Sequence, residues 1–181
     1  MPAKNKSHAN NNFARYFRES LSVVTKSTLQ MRVQGDERIL YYEPPVKLRR
    51  HSGDDLHLGI IQSYRIVETQ DGFKATTTRY IYELWIKKDR ELEAIAEFHW
   101  HSEGTVVWPH VHVKGNSPEG ALGHKHFPTA RISLEDFVGF LIRDFEVKSS
   151  LPRAQWKEIL TRNKREFVTN ASWLSYKPLI S

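Results

Sequence analysis

Six of the nine histidines fall between positions 99 and 126, in three His-x-His pairs: His99/His101, His110/His112 and His124/His126. Alternate residues of a β-strand point to the same side, so each pair on a strand presents two imidazoles to one face. If Glu103-Gly104 is a two-residue turn, Ser102 opposes Thr105, His101 opposes Val106, His99 opposes Trp108 and Glu97 opposes His110. That register gathers Glu97, His99, His101, His110 and His112 on one face. The other face carries Ala94, Ala96, Phe98, Trp100, Val107, Pro109, Val111 and Val113, all apolar. A slip of one residue would mix the two sets, so the amphipathic register is favoured. Pro109 marks an edge strand or a bulge at that point.

Three chemistries suit such a face. Neutral imidazoles at alternate positions on adjacent strands can converge on Zn²⁺, Mn²⁺ or Ni²⁺, with Glu97 or Glu103 as a carboxylate ligand. His124 and His126, on the loop that returns towards the next helix, can close over the same ion. An open coordination position would then activate water for hydrolysis. Without metal, paired histidines can serve as acid and base in phosphodiester cleavage, with Arg131 or Lys125 steadying the phosphate charge. The third use is structural: imidazoles stacked across strands or packed at an interface. His51 and His57 lie outside this cluster and read as surface or structural residues.

The composition narrows the field. The 181 residues contain no cysteine, which excludes disulfide scaffolds, thiolate zinc fingers, iron–sulfur ligation and thiol nucleophiles. The net charge of +6 is uneven. Residues 1–50 carry +6 and residues 151–181 carry +4, around a centre of −3 over 51–100 and −1 over 101–150. Two basic clusters stand out, Lys47-Arg49-Arg50 and Arg162-Lys164-Arg165. With Arg131 they form the set expected to contact nucleic-acid phosphates. No apolar run is long enough to span a membrane, and the charged N-terminus is not followed by a signal-peptide core. The expectation is a soluble, cytoplasmic protein.

The elements that must position these groups read as follows. Residues 1–12 are polar and Asn-rich, and are expected to form a disordered arm; residues 13–181 form a single α+β domain. Phe13, Phe17, Leu21 and Val24 recur at helical spacing. Ile39–Tyr42 reads as a short strand stopped by Pro44-Pro45. Four β-rich runs then follow: Leu58–Thr69, Phe73–Lys87, Leu92–His101 and Val106–Val113. Tight turns join them, which predicts an antiparallel meander of about four to five strands. Ser133 and Asp136 resemble a helix-capping box ahead of Leu134, Phe137, Val138, Leu141 and Phe145. A last helix begins near Pro152, with Trp156, Ile159, Leu160 and Phe167 on its buried side. The predicted architecture is an α+β sheet with one N-terminal and two C-terminal helices packed on one face.

Trp108-Pro109-His110-Val111-His112-Val113, following a meander and preceding a capped helix, resembles the TumE-type toxins of bacterial toxin–antitoxin pairs. The resemblance spans residues 58–145 and carries over His110 and His112 as functional residues. It implies a small bacterial or phage-associated protein that acts on nucleic acid, RNA or DNA, or is neutralised by a protein partner such as an antitoxin. Combined with the histidine face, it predicts a toxin- or defence-type nuclease. In that reading His99, His101, His110, His112 and Glu97 are catalytic, and the same four histidines with His124 and His126 bind metal. The competing reading is a non-enzymatic binding subunit of a larger assembly, its histidine face structural or a metal staple.

Overall fold

The computed structural model describes residues 3–53, 55–88, 91–103, 106–114 and 125–170. In chain order the elements are α1 (Lys6–Ser22), β1 (Gln30–Gln34), β2 (Glu37–Lys47), β3 (Leu56–Thr69), β4 (Gly72–Lys88), β5 (Glu91–His101), β6 (His110–Val113), β7 (Phe127–Pro128), α2 (Leu134–Asp144) and α3 (Arg153–Asn170). The strands pair antiparallel in sequence order, β1 to β7, as one open meander. The α+β class is as expected, but seven strands replace the expected four to five. The additional ones are β1, which forms a hairpin with the expected Ile39–Tyr42 strand, and a two-residue strand after the main run. In the hairpin Gln34 pairs with Glu37 around a two-residue turn, and Gly35 supplies its positive φ of 62°. Pro44-Pro45 does not end β2. The register jumps from Tyr42↔Ile60 to Val46↔Leu58, so both prolines sit in a bulge where no ladder N–H is required.

Residues 3–12 are not a disordered arm, which corrects the reading of the N-terminus. Ala3 pairs with Phe73 through two backbone hydrogen bonds of 2.8 and 2.9 Å. Asn5 caps α1 by accepting the His8 N–H at 2.8 Å. The Tyr64 hydroxyl donates to Asn10 at 2.8 Å. The stripe expected from Phe13 extends one turn back through Ala9, which is buried. Burial and side-chain bonds thus order a segment whose composition alone favours disorder.

All three helices lie on one face of the sheet. Phe13 of α1 packs its ring 4.3 Å from that of Tyr64 on β3. Phe137 of α2 sits 5.1 Å from Tyr82 and 5.5 Å from Phe98. Leu56, Leu58, Ile60, Tyr82 and Leu84 complete the sheet side of this core, each nearly solvent-free. Burying each such side chain contributes about 1.5 to 3 kcal/mol. Ser133 accepts the Asp136 N–H at 3.1 Å and donates to its carboxylate at 2.9 Å, so the expected cap forms. A buried polar knot ties the helices together: Ser20 donates to Glu135 at 2.9 Å and accepts from Asn163 at 3.1 Å. Burial raises the Glu135 pKa above the ordinary carboxylate value. Among the described residues no helix is long and apolar enough to cross a membrane.

The opposite face, formed by the alternate residues of β2 to β6, carries the histidines. Their register differs from the expected one by two residues: His99 pairs with His110, Glu97 with His112 and Phe98 with Val111. A two-residue offset preserves which side each residue faces. The last long strand is shortened to His110–Val113. Pro109 lacks an N–H, its carbonyl accepts from Thr129 at 2.9 Å, and the Val107 carbonyl accepts from the Trp100 indole at 2.9 Å.

Candidate metal centre

Across the open face, β5 and β6 bring His99 and His110 side by side, with ring centroids 4.0 Å apart. His112 lies two residues on, 4.7 Å from His99 and 5.0 Å from His110. The pairing of Val111 with Phe127 then swings His126 over the same spot, 4.4 Å from His112 and 4.6 Å from His110. One nitrogen from each of His99, His110, His112 and His126 lies within 4.8 Å of the others. These four side chains are close enough to hold a metal ion. Nitrogens around a tetrahedral ion with Zn–N bonds of about 2.0–2.1 Å lie ~3.4 Å apart, so small side-chain rotations close the set.

The hydrogen bonds around the cluster set the orientation of the rings. His110 is fully buried, and its Nδ1 lies 2.8 Å from the carbonyl oxygen of Trp108. A carbonyl only accepts, so Nδ1 carries the proton and Nε2 keeps its lone pair. His99 Nδ1 lies 3.5 Å from Glu97 Oε1, and the other carboxylate oxygen is held by Lys114 Nζ at 2.7 Å. The Nε2 atoms of both His99 and His110 are buried and have no hydrogen-bond partner. Leaving a polar atom buried and unpaired costs about 1–3 kcal/mol. His110, anchored at Nδ1 by a carbonyl with Nε2 unpartnered, matches the outer support of histidine metal sites, and the Glu97 carboxylate stands beside the corresponding nitrogen of His99.

The electrostatics keep these rings in the ligating form. Burial, reinforced by the neighbouring His110, holds the His99 pKa down at about 4 despite Glu97. Burial also lowers His110 and His112 below the ordinary imidazole value. Burial pulls the Glu97 carboxyl up, but the Lys114 ammonium and the nearby imidazoles outweigh it and leave its pKa lowered. Next to Glu97 in the sheet, Glu83 is raised by burial and by the Glu97 charge. Its carboxylate lies flat over Gly59, where a Cβ would come within 2.6 Å of Oε2.

The remaining expected site residues are placed differently. Glu97 flanks the cluster through His99 and is not among its converging donors. His101 shares the face, but its Nδ1 is engaged by the Glu103 carbonyl and it stands outside the four. Glu103 contributes that carbonyl and an exposed side chain. His124 lies outside the described residues.

The basic residues do not gather round the imidazoles. Lys47 is paired with Asp55 at 2.6 Å, Arg162 with Glu19 at 2.8 Å and Lys164 with Asp136 at 2.6 Å. Arg50 donates to the Phe145 carbonyl at 2.8 Å, beside exposed Arg49 at the β2 end. Arg162, Lys164 and Arg165 belong to α3, in the helical layer on the other side of the sheet. Arg131 stacks over Trp100, 3.2 Å from the ring centroid and on that same helical side. Its guanidinium is buried enough to bring its pKa down to about 10. Lys125 is exposed and next in sequence to His126.

Sequence reasoning missed Lys114 and the Trp108 carbonyl. Lys114 follows the strand directly, one residue past the last alternating position of β6. A main-chain acceptor leaves no trace in residue types. The chain matches no protein-family model, no curated protein and no solved structure.

Proposed function

We propose that this chain is a metal-dependent hydrolase whose centre is the cluster His99, His110, His112 and His126. The observation that carries this reading is the pair of buried, unpartnered Nε2 atoms on His99 and His110, two members of that cluster. An all-imidazole donor set without thiolate suits Zn²⁺ or Ni²⁺ rather than Mn²⁺, Mg²⁺ or Ca²⁺, which favour oxygen donors. When bound, such an ion supplies Lewis acidity and an activated water.

The chain's own residues divide the work. His99, His110 and His112 are rigid donors on paired strands, oriented by Glu97 and the Trp108 carbonyl. His126 precedes a two-residue strand and is exposed, so it would be the least rigidly held of the four donors. His101, adjacent but outside the set, is placed to receive a proton.

A second reading has its own support. Four protein donors are the complement of a closed structural site, and His126 would then staple the short β7 to β6. The test is to load the metal-free chain with Zn²⁺, Mn²⁺ or Ni²⁺ and follow cleavage of a chromogenic phosphodiester. Metal-dependent turnover that His112→Ala abolishes supports the hydrolase. Tight metal binding that raises Tm without any turnover supports the staple and overturns the hydrolase.

A further inference from the structure

The open face extends well beyond the imidazoles, and its rows lead to them. One row across the strands runs Tyr41, Ile61, Ile81, His99, His110. The adjacent row runs Arg32, Ile39, Ser63, Arg79, His101. With strands about 4.8 Å apart, the strip from β1 to β6 is about 24 Å long. Its floor is smooth, because Ile39, Ser63 and Ile81 are each almost solvent-free although the helices lie on the other side.

Cationic and aromatic groups stand on this floor. Arg32 is exposed and stacks on Tyr41, its guanidinium 5.3 Å from the ring centroid. Arg79 is exposed, sits next to His101 in the register, and makes no ion pair with any described residue. Three carboxylates of the same face are engaged by neighbours. Glu37 faces Arg65 and accepts from Thr78, Glu97 is bound by Lys114, and Glu83 lies over Gly59.

We infer that this strip binds a single strand of nucleic acid, with Arg32 and Arg79 on its phosphates, Tyr41 stacking a base, and the imidazole cluster at its end. Charge complementarity selects a polyanion. A stacking partner for Tyr41 must be an unpaired base, so a duplex is excluded from the strip. Arg32 and Arg79 sit in one row three strands apart, about 14 Å, which suits contacts to separated phosphates along an extended strand. This deepens the hydrolase reading and rests on it for the fate of the strand, whereas binding is measurable without metal or turnover.

The experiment uses the full chain freed of metal by chelation, with fluorescein-labelled oligo(rU), oligo(dT) and a hairpin duplex as probes. Anisotropy is read as salt is raised. The expected result is single-strand binding that weakens with salt, with the duplex bound more weakly. Arg32→Ala and Arg79→Ala should each flatten the log K against log salt slope by about 0.7, the value for one phosphate contact on a single strand. Tyr41→Ala should weaken binding about 10-fold with the slope kept, and Tyr41→Leu should do the same without loss of apolar bulk. Comparison of the two oligomers decides between RNA and DNA.

Absence of single-strand binding at low salt overturns the inference. So does a loss of binding in a Lys47→Ala/Arg49→Ala/Arg165→Ala variant that Arg79→Ala does not reproduce. Binding without metal-dependent cleavage supports the strip and counts against the hydrolase. Metal-dependent phosphodiester turnover without strand binding does the reverse.

Discussion

Replacing Glu97 should weaken metal binding without unfolding the chain. Glu97 Oε1 lies 3.5 Å from His99 Nδ1, and Lys114 holds Oε2 at 2.7 Å. Two unit charges at 3.5 Å and an effective dielectric near 20 interact by about 5 kcal/mol. An imidazole N–H carries only a fraction of a unit charge, and Lys114 opposes the carboxylate. Together these bring the coupling down to about 1–3 kcal/mol, in line with the ~10- to 100-fold affinity losses typical of outer-shell changes. Glu97→Gln keeps an oxygen that can accept from Nδ1 and should fall near the 10-fold end; Glu97→Ala should approach 100-fold. The assay is competition for Zn²⁺ against a chromogenic chelator at neutral pH, with the Tm of the metal-free protein as control. Zinc affinity unchanged in both variants, while His99→Ala abolishes binding, would refute the argument that Glu97 orients His99.

The metal-free chain should lose stability in acid: the His99 pKa is depressed to about 4 in the fold, against about 6.5 unfolded. That stability is complete above the unfolded value and is lost as pH falls through the folded one. Chemical denaturation between pH 7 and 4 should show a loss of up to about 3 kcal/mol from this group, absent in His99→Phe. His101→Ala should leave zinc affinity intact, because its ring stands outside the converging four, while metal-dependent turnover falls. Gly59→Ala places a methyl within 2.6 Å of Glu83 Oε2 and should cost about 1 kcal/mol as the carboxylate shifts, read as a lower Tm. Ser133→Ala removes the α2 cap and should also cost about 1 kcal/mol, read the same way without effect on metal binding.

The faces of β5 and β6 were legible because alternation encodes side rather than register. Phe98 and Trp100 on one side, and His99 and His101 on the other, need no partner strand to be sorted. The two-residue offset that pairs His99 with His110 accompanies bonds at Val107 and Pro109, whose carbonyls accept from Trp100 and Thr129 in place of the expected ladder. Burial of Asn10 against Tyr64 was not readable from an asparagine run, which locally favours disorder. The ion pairs within the basic clusters were unreadable for a related reason. Asp55, Glu19 and Asp136 pair with Lys47, Arg162 and Lys164 from positions that only the fold brings near. The fourth donor, His126, was visible as a histidine in a loop, but its approach depends on the two-residue pairing of β7 with β6.

The central claim is that four imidazoles of this chain form one metal centre. Elemental analysis of the purified full-length protein, beside His110→Ala and His101→Ala variants, addresses it most directly. The account predicts one equivalent of a divalent transition metal in the unmodified chain and in His101→Ala, and its loss in His110→Ala. A chain that takes up no stoichiometric metal after reconstitution, or whose metal survives the loss of His110, contradicts it.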